Sequence, residues 1–151
     1  MLIDTLKILF NRDLNRLISE IEQYNTDAGI WKREGRIANS AGNLCLHLVG
    51  NLNTYIGKEL GGTSYIRNRE LEFTAKDIPR QELIQMVRRT IDVINQALDN
   101  LNENCLPMEY PILVFDKATS IEYLLVHLTT HLTYHLGQIN YHRRLIETDK
   151  E

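Results

Sequence analysis

Apolar residues recur at steps of three and four along the first 24 positions. Leu2, Leu6, Leu9, Phe10, Leu14, Leu17, Ile18 and Ile21 fall on one side with Asp, Lys, Arg and Glu between them, the period of an amphipathic helix. Residues 25–39 keep no such period and carry Gly29 and Gly35, so they read as a connection. A second helical run extends from Ser40 to about Lys58, with Leu44, Leu48, Leu52, Tyr55 and Ile56 repeating helically and Asn39-Ser40 as its cap. Leu60-Gly61-Gly62-Thr63 then stops it at Gly61 or just before.

Residues 64–76 are polar and read as a second connection. Asp77-Ile78-Pro79 opens a third run reaching about Asn102, because proline is tolerated in a first helical turn. Its apolar positions Leu83, Val87, Ile91, Ile94, Leu98 and Leu101 step by 4, 4, 3, 4 and 3, as a bundle seam does. Residues 103–118 contain Pro107, Pro111 and the run Ile112-Leu113-Val114-Phe115, the pattern of a brief extended segment crossing the bundle. Thr119-Ser120-Ile121-Glu122 reads as a capping box before a fourth run that reaches about Ile146, and Thr148 to Glu151 are expected to fray. Four helices, each about 20 residues and about 30 Å long, with two long connections, predict an all-α four-helix bundle in one domain over residues 1–151. There is no internal repeat and no low-complexity tract.

Charge narrows the function. The 17 Lys and Arg against 20 Asp and Glu leave a formal charge of −3 with no basic run, so the chain lacks the dense cationic footprint that nucleic-acid binding requires. No apolar stretch approaches the roughly 20 residues of a membrane span. Asp4 stands where a secretory signal would carry cations, which favours the cytoplasm. Cys45 and Cys105 are too few for a disulfide framework and are expected to be reduced. Apolar positions on the first and third runs suggest a surface for a homodimer, although no residue marks the interface.

The histidines carry the most information. His47 lies on the second run, and His127, His131, His135 and His142 lie on the fourth. Steps of four residues advance about 400°, so His127, His131 and His135 form one stripe, continued by Gln138 and His142. That stripe borders the apolar seam marked by Leu124, Leu128 and Leu132, and His47 borders the apolar face of its own helix. A single histidine beside a core is ordinarily a hydrogen-bonded core residue. A stack of three is different, because packed imidazoles repel when protonated and need partners when neutral. An i, i+4 pair can hold one metal through two ring nitrogens, and a third imidazole from a neighbouring helix would complete a face of coordination. Three neutral nitrogens suit Zn(II), Ni(II), Fe(II) or Mn(II) and leave a position open.

The stretch from His127 to Ile139, above all Thr133-Tyr134-His135-Leu136-Gly137-Gln138-Ile139, resembles the DinB-like superfamily of metal-binding four-helix bundles. Asn39 to Leu52 followed by Leu60-Gly61-Gly62-Thr63 is similar to an uncharacterised branch of it. The resemblance implies a three-histidine site formed by His47, His131 and His135. It leaves His127 as a supporting or pocket residue that could instead ligate, and His142 as structural or exposed. The superfamily includes metal-dependent transferases that join low-molecular-weight thiols to electrophiles, together with many members of no assigned reaction.

Three neutral imidazoles leave a divalent ion its full charge, so the open position should favour hydroxide, carboxylate or thiolate. Zinc lowers the pKa of coordinated water to about 7, and coordination deprotonates a thiol. Cys45 should face away from His47 and Cys105 sits in a loop, so a nucleophilic thiol would come from a small molecule. Arg67 and Arg69 are candidates for binding its carboxylates, although alternating charges over residues 67–72 ordinarily mark a solvated loop. Tyr134, Gln138, Asn43 and Asn51 are candidates to orient the ligands or line the pocket, and Trp31 reads as a core or loop anchor. The leading expectation is a metal-dependent thiol transferase acting on a small-molecule substrate. The alternative is a non-catalytic or stress-associated metal-binding bundle. Metal-assisted hydrolysis is a third, weaker course because no carboxylate stands near the stripe, and a purely structural bundle with satisfied core histidines is the fourth.

Overall fold

The computed structural model describes residues 1–147, so the expectation for Thr148 to Glu151 lies outside the described residues. Six α-helices follow in order: α1 Leu2–Gln23, α2 Asp27–Ile30, α3 Ala41–Leu52, α4 Arg69–Thr74, α5 Arg80–Asp99 and α6 Ile121–Ile146. Four are long and form the bundle expected from the periodicity.

Side-chain pairs fix how the long helices neighbour one another. Lys7 pairs with Asp99, and Asn11 and Asn95 exchange amide hydrogen bonds of 2.7 and 3.2 Å, so α1 runs antiparallel to α5. Thr133 Oγ1 donates to the buried Asp13 at 2.7 Å, and Glu20 accepts from Asn140 and Arg143, so α1 runs parallel to α6. The remaining long helix, α3, packs between α5 and α6. Phe10, Leu14, Leu17, Leu48, Leu52, Ile94, Leu98, Leu128, Leu132 and Ile139 lie in the shared core at 1% exposure or less. Each such side chain contributes about 1.5–3 kcal/mol through its removal from water.

Several local expectations are corrected. The second run is not one continuous α-helix: after Leu52 the backbone widens into a π-helical turn over Asn53–Lys58. This turn lays Gly57 against Val93 and Gly61 against Ala97, where an added Cβ would come within 2.8 and 2.9 Å. The two connections hold short helices, α2 with Thr26 as its cap and α4 with Asn68 as its cap, each side chain accepting from the backbone N–H three residues on. Ile112 to Phe115 form no strand; the extended pairing is a single bridge between Glu109 and Ser120. Pro111 has no N–H to extend it. The fourth helix is capped one residue later than expected, by Ser120 Oγ accepting from Tyr123 N at 3.0 Å, so Glu122 closes no capping box.

Exposed apolar side chains also fall elsewhere than expected. Ile8 is the large exposed one on α1 and α5 among the described residues, whereas Tyr123, Val126, Tyr134, Tyr141 and Leu145 stand out from α6. No helix among the described residues is long and apolar enough to cross a membrane.

Candidate metal centre

His47 reaches inward from the middle of α3, and His131 and His135 reach it from successive turns of α6. Because α3 and α6 meet along the bundle seam, ring nitrogens separated by 84 positions in sequence come face to face. His47 Nε2 lies 3.3 Å from His131 Nε2, and His135 Nε2 lies 3.1 Å from the same atom. The three residues form the one group of three or more metal-ligating side chains found together among the described residues.

The proton positions follow from the partners of the far ring nitrogens. His47 Nδ1–H donates to Glu72 Oε1 at 3.1 Å, and His135 Nδ1–H donates to Gln138 Oε1 at 2.7 Å. Both assignments leave a lone pair on Nε2, aimed at His131. A proton on His131 Nε2 can be donated in line to one of these neighbours only, so protons alone leave a lone pair facing nitrogen. A divalent cation satisfies all three. Nitrogens bound at about 2.0–2.1 Å stand about 2.9 Å apart at a right angle and about 3.4 Å apart at the tetrahedral angle, the range of the two contacts to His131 Nε2, and all three donors lie within 4.8 Å of one another. Burial, together with the neighbouring His135, His47, His127 and Arg67, lowers the pKa of His131 to about 4. Burial and the His47 charge likewise depress His135, against the pull of Gln138. Both rings are therefore neutral near pH 7, the state a metal ligand requires.

His127 stands apart from this cluster. Its ring stacks on His131 with centroids 6.1 Å apart and meets the edge of Phe115 at 4.8 Å. Tyr134 is exposed, with its ring 5.3 Å from that of His135. Asn43 touches no ligand; its amide donates to the carbonyls of Glu72 and Ala75 at 3.0 and 2.9 Å, tying α4 to α3. Asn51 is buried one turn beyond His47, and its Oδ1 has no hydrogen-bond partner among the described residues. His142 is structural: Tyr24 Oη–H donates to its Nδ1 at 2.6 Å and its Nε2–H donates to the Lys32 carbonyl at 2.7 Å. Cys45 is buried with its thiol pushed up to about 12 by desolvation. Trp31 anchors the first connection, its indole against Gly42 and its N–H on the Ile78 carbonyl at 3.3 Å.

Two corrections concern the segment over residues 67–72. From Arg69 on it is helical, and although Asn68 to Leu71 are exposed, Glu72 is buried. Arg67 is engaged within the protein, its Nε and Nη2 gripping the two oxygens of Glu72 at 2.8 and 3.0 Å. Arg69 is exposed at the start of α4. Glu72 itself is the residue the sequence reading missed: it is 5% exposed and lies against His47, so the premise that no carboxylate stands near the histidines is overturned. Burial opposes its ionisation, but hydrogen bonds from His47 and Arg67 and the guanidinium charge outweigh that, holding the carboxyl below its ordinary range. The sequence signal was Gly50, a glycine in the interior of an apolar helix and three residues after a candidate ligand.

Two cavities reach neighbours of the histidines, Gln138 beside His135 and Phe73 beside His47. A cavity of about 620 Å³ touches Leu44, Tyr134, Gln138, Tyr141 and Arg36. A larger one, about 880 Å³, runs from Trp31 to Phe73; the Phe73 ring lies 5.1 Å from that of His47.

Comparison with known proteins agrees in coverage and fold. A family model described as "Protein of unknown function (DUF1572)" matches residues 3–150. The crystal structure of a conserved protein from Enterococcus faecalis superposes with a TM-score of 0.77 over 97% of both chains, at 16% sequence identity. No curated protein matches the chain.

Proposed function

The chain belongs to the DUF1572 family, and we propose that it is a divalent-metal protein of the DinB-like kind. In this reading it joins a low-molecular-weight thiol to a small electrophile. The observation that carries the reading is the convergence of the His47 and His135 ring nitrogens on His131 Nε2, with His47 buried and the other two rings half-buried. When bound, a divalent ion would supply Lewis acidity and would favour the thiolate form of a sulfur ligand.

Each residue has a task in this reading. His47, His131 and His135 hold the ion as neutral donors. Gln138 and Glu72 fix the tautomers of His135 and His47. His127, stacked on His131 and partly exposed, stands where it can accept a proton from an incoming thiol. Tyr134 and Phe73 flank the entry with ring faces suited to an apolar electrophile. Cys45 does not serve, since it is buried and its thiol is held protonated.

Elemental analysis of protein purified without a histidine tag, followed by incubation of the metal-loaded protein with common bacterial thiols and an electrophilic test substrate, examines the reading. The expected result is about one divalent ion per chain and metal-dependent loss of free thiol. His131→Ala should abolish both. Metal content without thiol consumption would leave the non-catalytic alternative, in which the ion ties α3 to α6.

A further inference from the structure

The three imidazoles of the centre are not equivalent. His47 Nδ1 meets a carboxylate, Glu72, at 3.1 Å, whereas His135 Nδ1 meets the neutral carboxamide of Gln138 at 2.7 Å. His131 Nδ1 is buried with no hydrogen-bond partner among the described residues. A carboxylate behind an imidazole raises its basicity and fixes its orientation, and a neutral amide does so less. We propose that Glu72 is the positioning residue of the metal centre and makes His47 its dominant donor, an inference that rests on the metal-binding reading of the cluster.

Several features of the fold serve to place this one carboxylate. Gly50 clears the surface of α3 beneath it: a Cβ there would lie 2.6 Å from Glu72 Cδ. Arg67 holds both oxygens, which keeps a buried acid ionised. Asn43 grips the backbone of Glu72 itself and of Ala75, and Trp31 grips Ile78 beyond them. An acid carried only to make α4 soluble would need none of these, and its neighbour Glu70 is exposed.

The guanidinium sharpens the argument. Arg67 Nη2 stands 3.3 Å from His47 Nδ1. With Glu72 present, the carboxylate draws the imidazole proton to Nδ1 in competition with the Arg67 N–H that also reaches that atom. Without it, the Arg67 N–H would be left as the partner of Nδ1, and the His47 proton would move to Nε2, into the space the ion needs. Loss of Glu72 therefore reverses the tautomer of His47 as well as weakening it.

Two measurements on the full chain test this. Nitrogen-15 spectra of metal-free protein above the imidazole titration range read the tautomer directly: His47 should carry its proton on Nδ1 in the wild type and on Nε2 in Glu72→Ala. Zinc titration against a chromophoric chelator should show affinity reduced about 10- to 100-fold in Glu72→Gln. Gln138→Glu, which gives His135 a carboxylate of its own, should tighten zinc binding and tests the same chemistry without disturbing α4. A wild-type His47 protonated on Nε2, or unchanged zinc affinity in Glu72→Gln and Gln138→Glu, overturns the proposal. If the wild type binds no zinc, the metal reading fails, while the metal-free tautomer still decides whether Glu72 positions His47.

Discussion

Glu72 occupies the space that a side chain at Gly50 would fill, with its Cδ 2.6 Å from where a Cβ would stand. The absence of a side chain on one helix thus admits a charged group from a connection more than 20 residues later, and that group touches His47, one turn before the glycine.

Gly50→Ala should separate the fold from the site. Alanine favours the helix by about 0.5–1 kcal/mol over glycine, while displacing Glu72 forfeits a charge-assisted hydrogen bond of about 1.5–3 kcal/mol. The first offsets only part of the second. Denaturant unfolding of metal-free protein should therefore show a loss of about 0.5–2.5 kcal/mol, while zinc affinity falls as it does in Glu72→Gln. Unaltered zinc binding in this variant would show that the carboxylate reaches His47 by another route.

Metal removal should lower thermal stability in proportion to occupancy. An ion present at 100 times its dissociation constant stabilises the native state by about 2.7 kcal/mol, which for a chain of this size corresponds to a rise in Tm of roughly 5–10 °C. Differential scanning calorimetry with and without chelator measures it. The shift should vanish in His131→Ala, the residue whose Nε2 faces both of the others. A wild type that melts identically under both conditions is not held together by an ion.

What the sequence made legible was set by periodicity. The four long helices follow from apolar steps of three and four, and the rotational position of His47, His131 and His135 beside those seams placed them inward before any contact was known. Glu72 was not legible for a physical reason: Arg67, Arg69, Glu70 and Glu72 have the same composition whether solvated or folded inward, and only Gly50 on a distant helix distinguishes the two. The π-helical turn after Leu52 was hidden similarly, since its widening answers to the approach of Val93 and Ala97 on α5.

Acid should destabilise the metal-free protein over a definable range. His131 is depressed to about 4 and His142 is also lowered, in both cases chiefly by burial. In the unfolded chain each titrates near 6.5. Between these values the unfolded state binds more protons than the native one, so stability is complete above about pH 6.5 and declines as pH falls toward 4. Melting temperatures recorded in chelator from pH 8 to pH 4 should show this slope, and His131→Ala should flatten it. A wild-type curve level down to pH 4.5 would mean that the folded imidazoles titrate like free ones.

The hydrogen-bonded chain from Tyr24 through His142 to the Lys32 carbonyl offers a control that leaves the metal centre alone. Tyr24 and His142 are 2% and 3% exposed, and the Tyr24 hydroxyl is the group that satisfies His142 Nδ1. Tyr24→Phe keeps the ring and its packing but strands a buried acceptor, which costs about 1–3 kcal/mol. His142 follows His135 by two helical turns on α6, yet it contributes no atom to the cluster around His131. Denaturant unfolding of Tyr24→Phe should therefore show the loss of stability while metal stoichiometry and zinc affinity match the wild type. Coupled loss of zinc binding would place His142 in the metal centre after all and would redraw the division between the structural and the ligating histidines of α6.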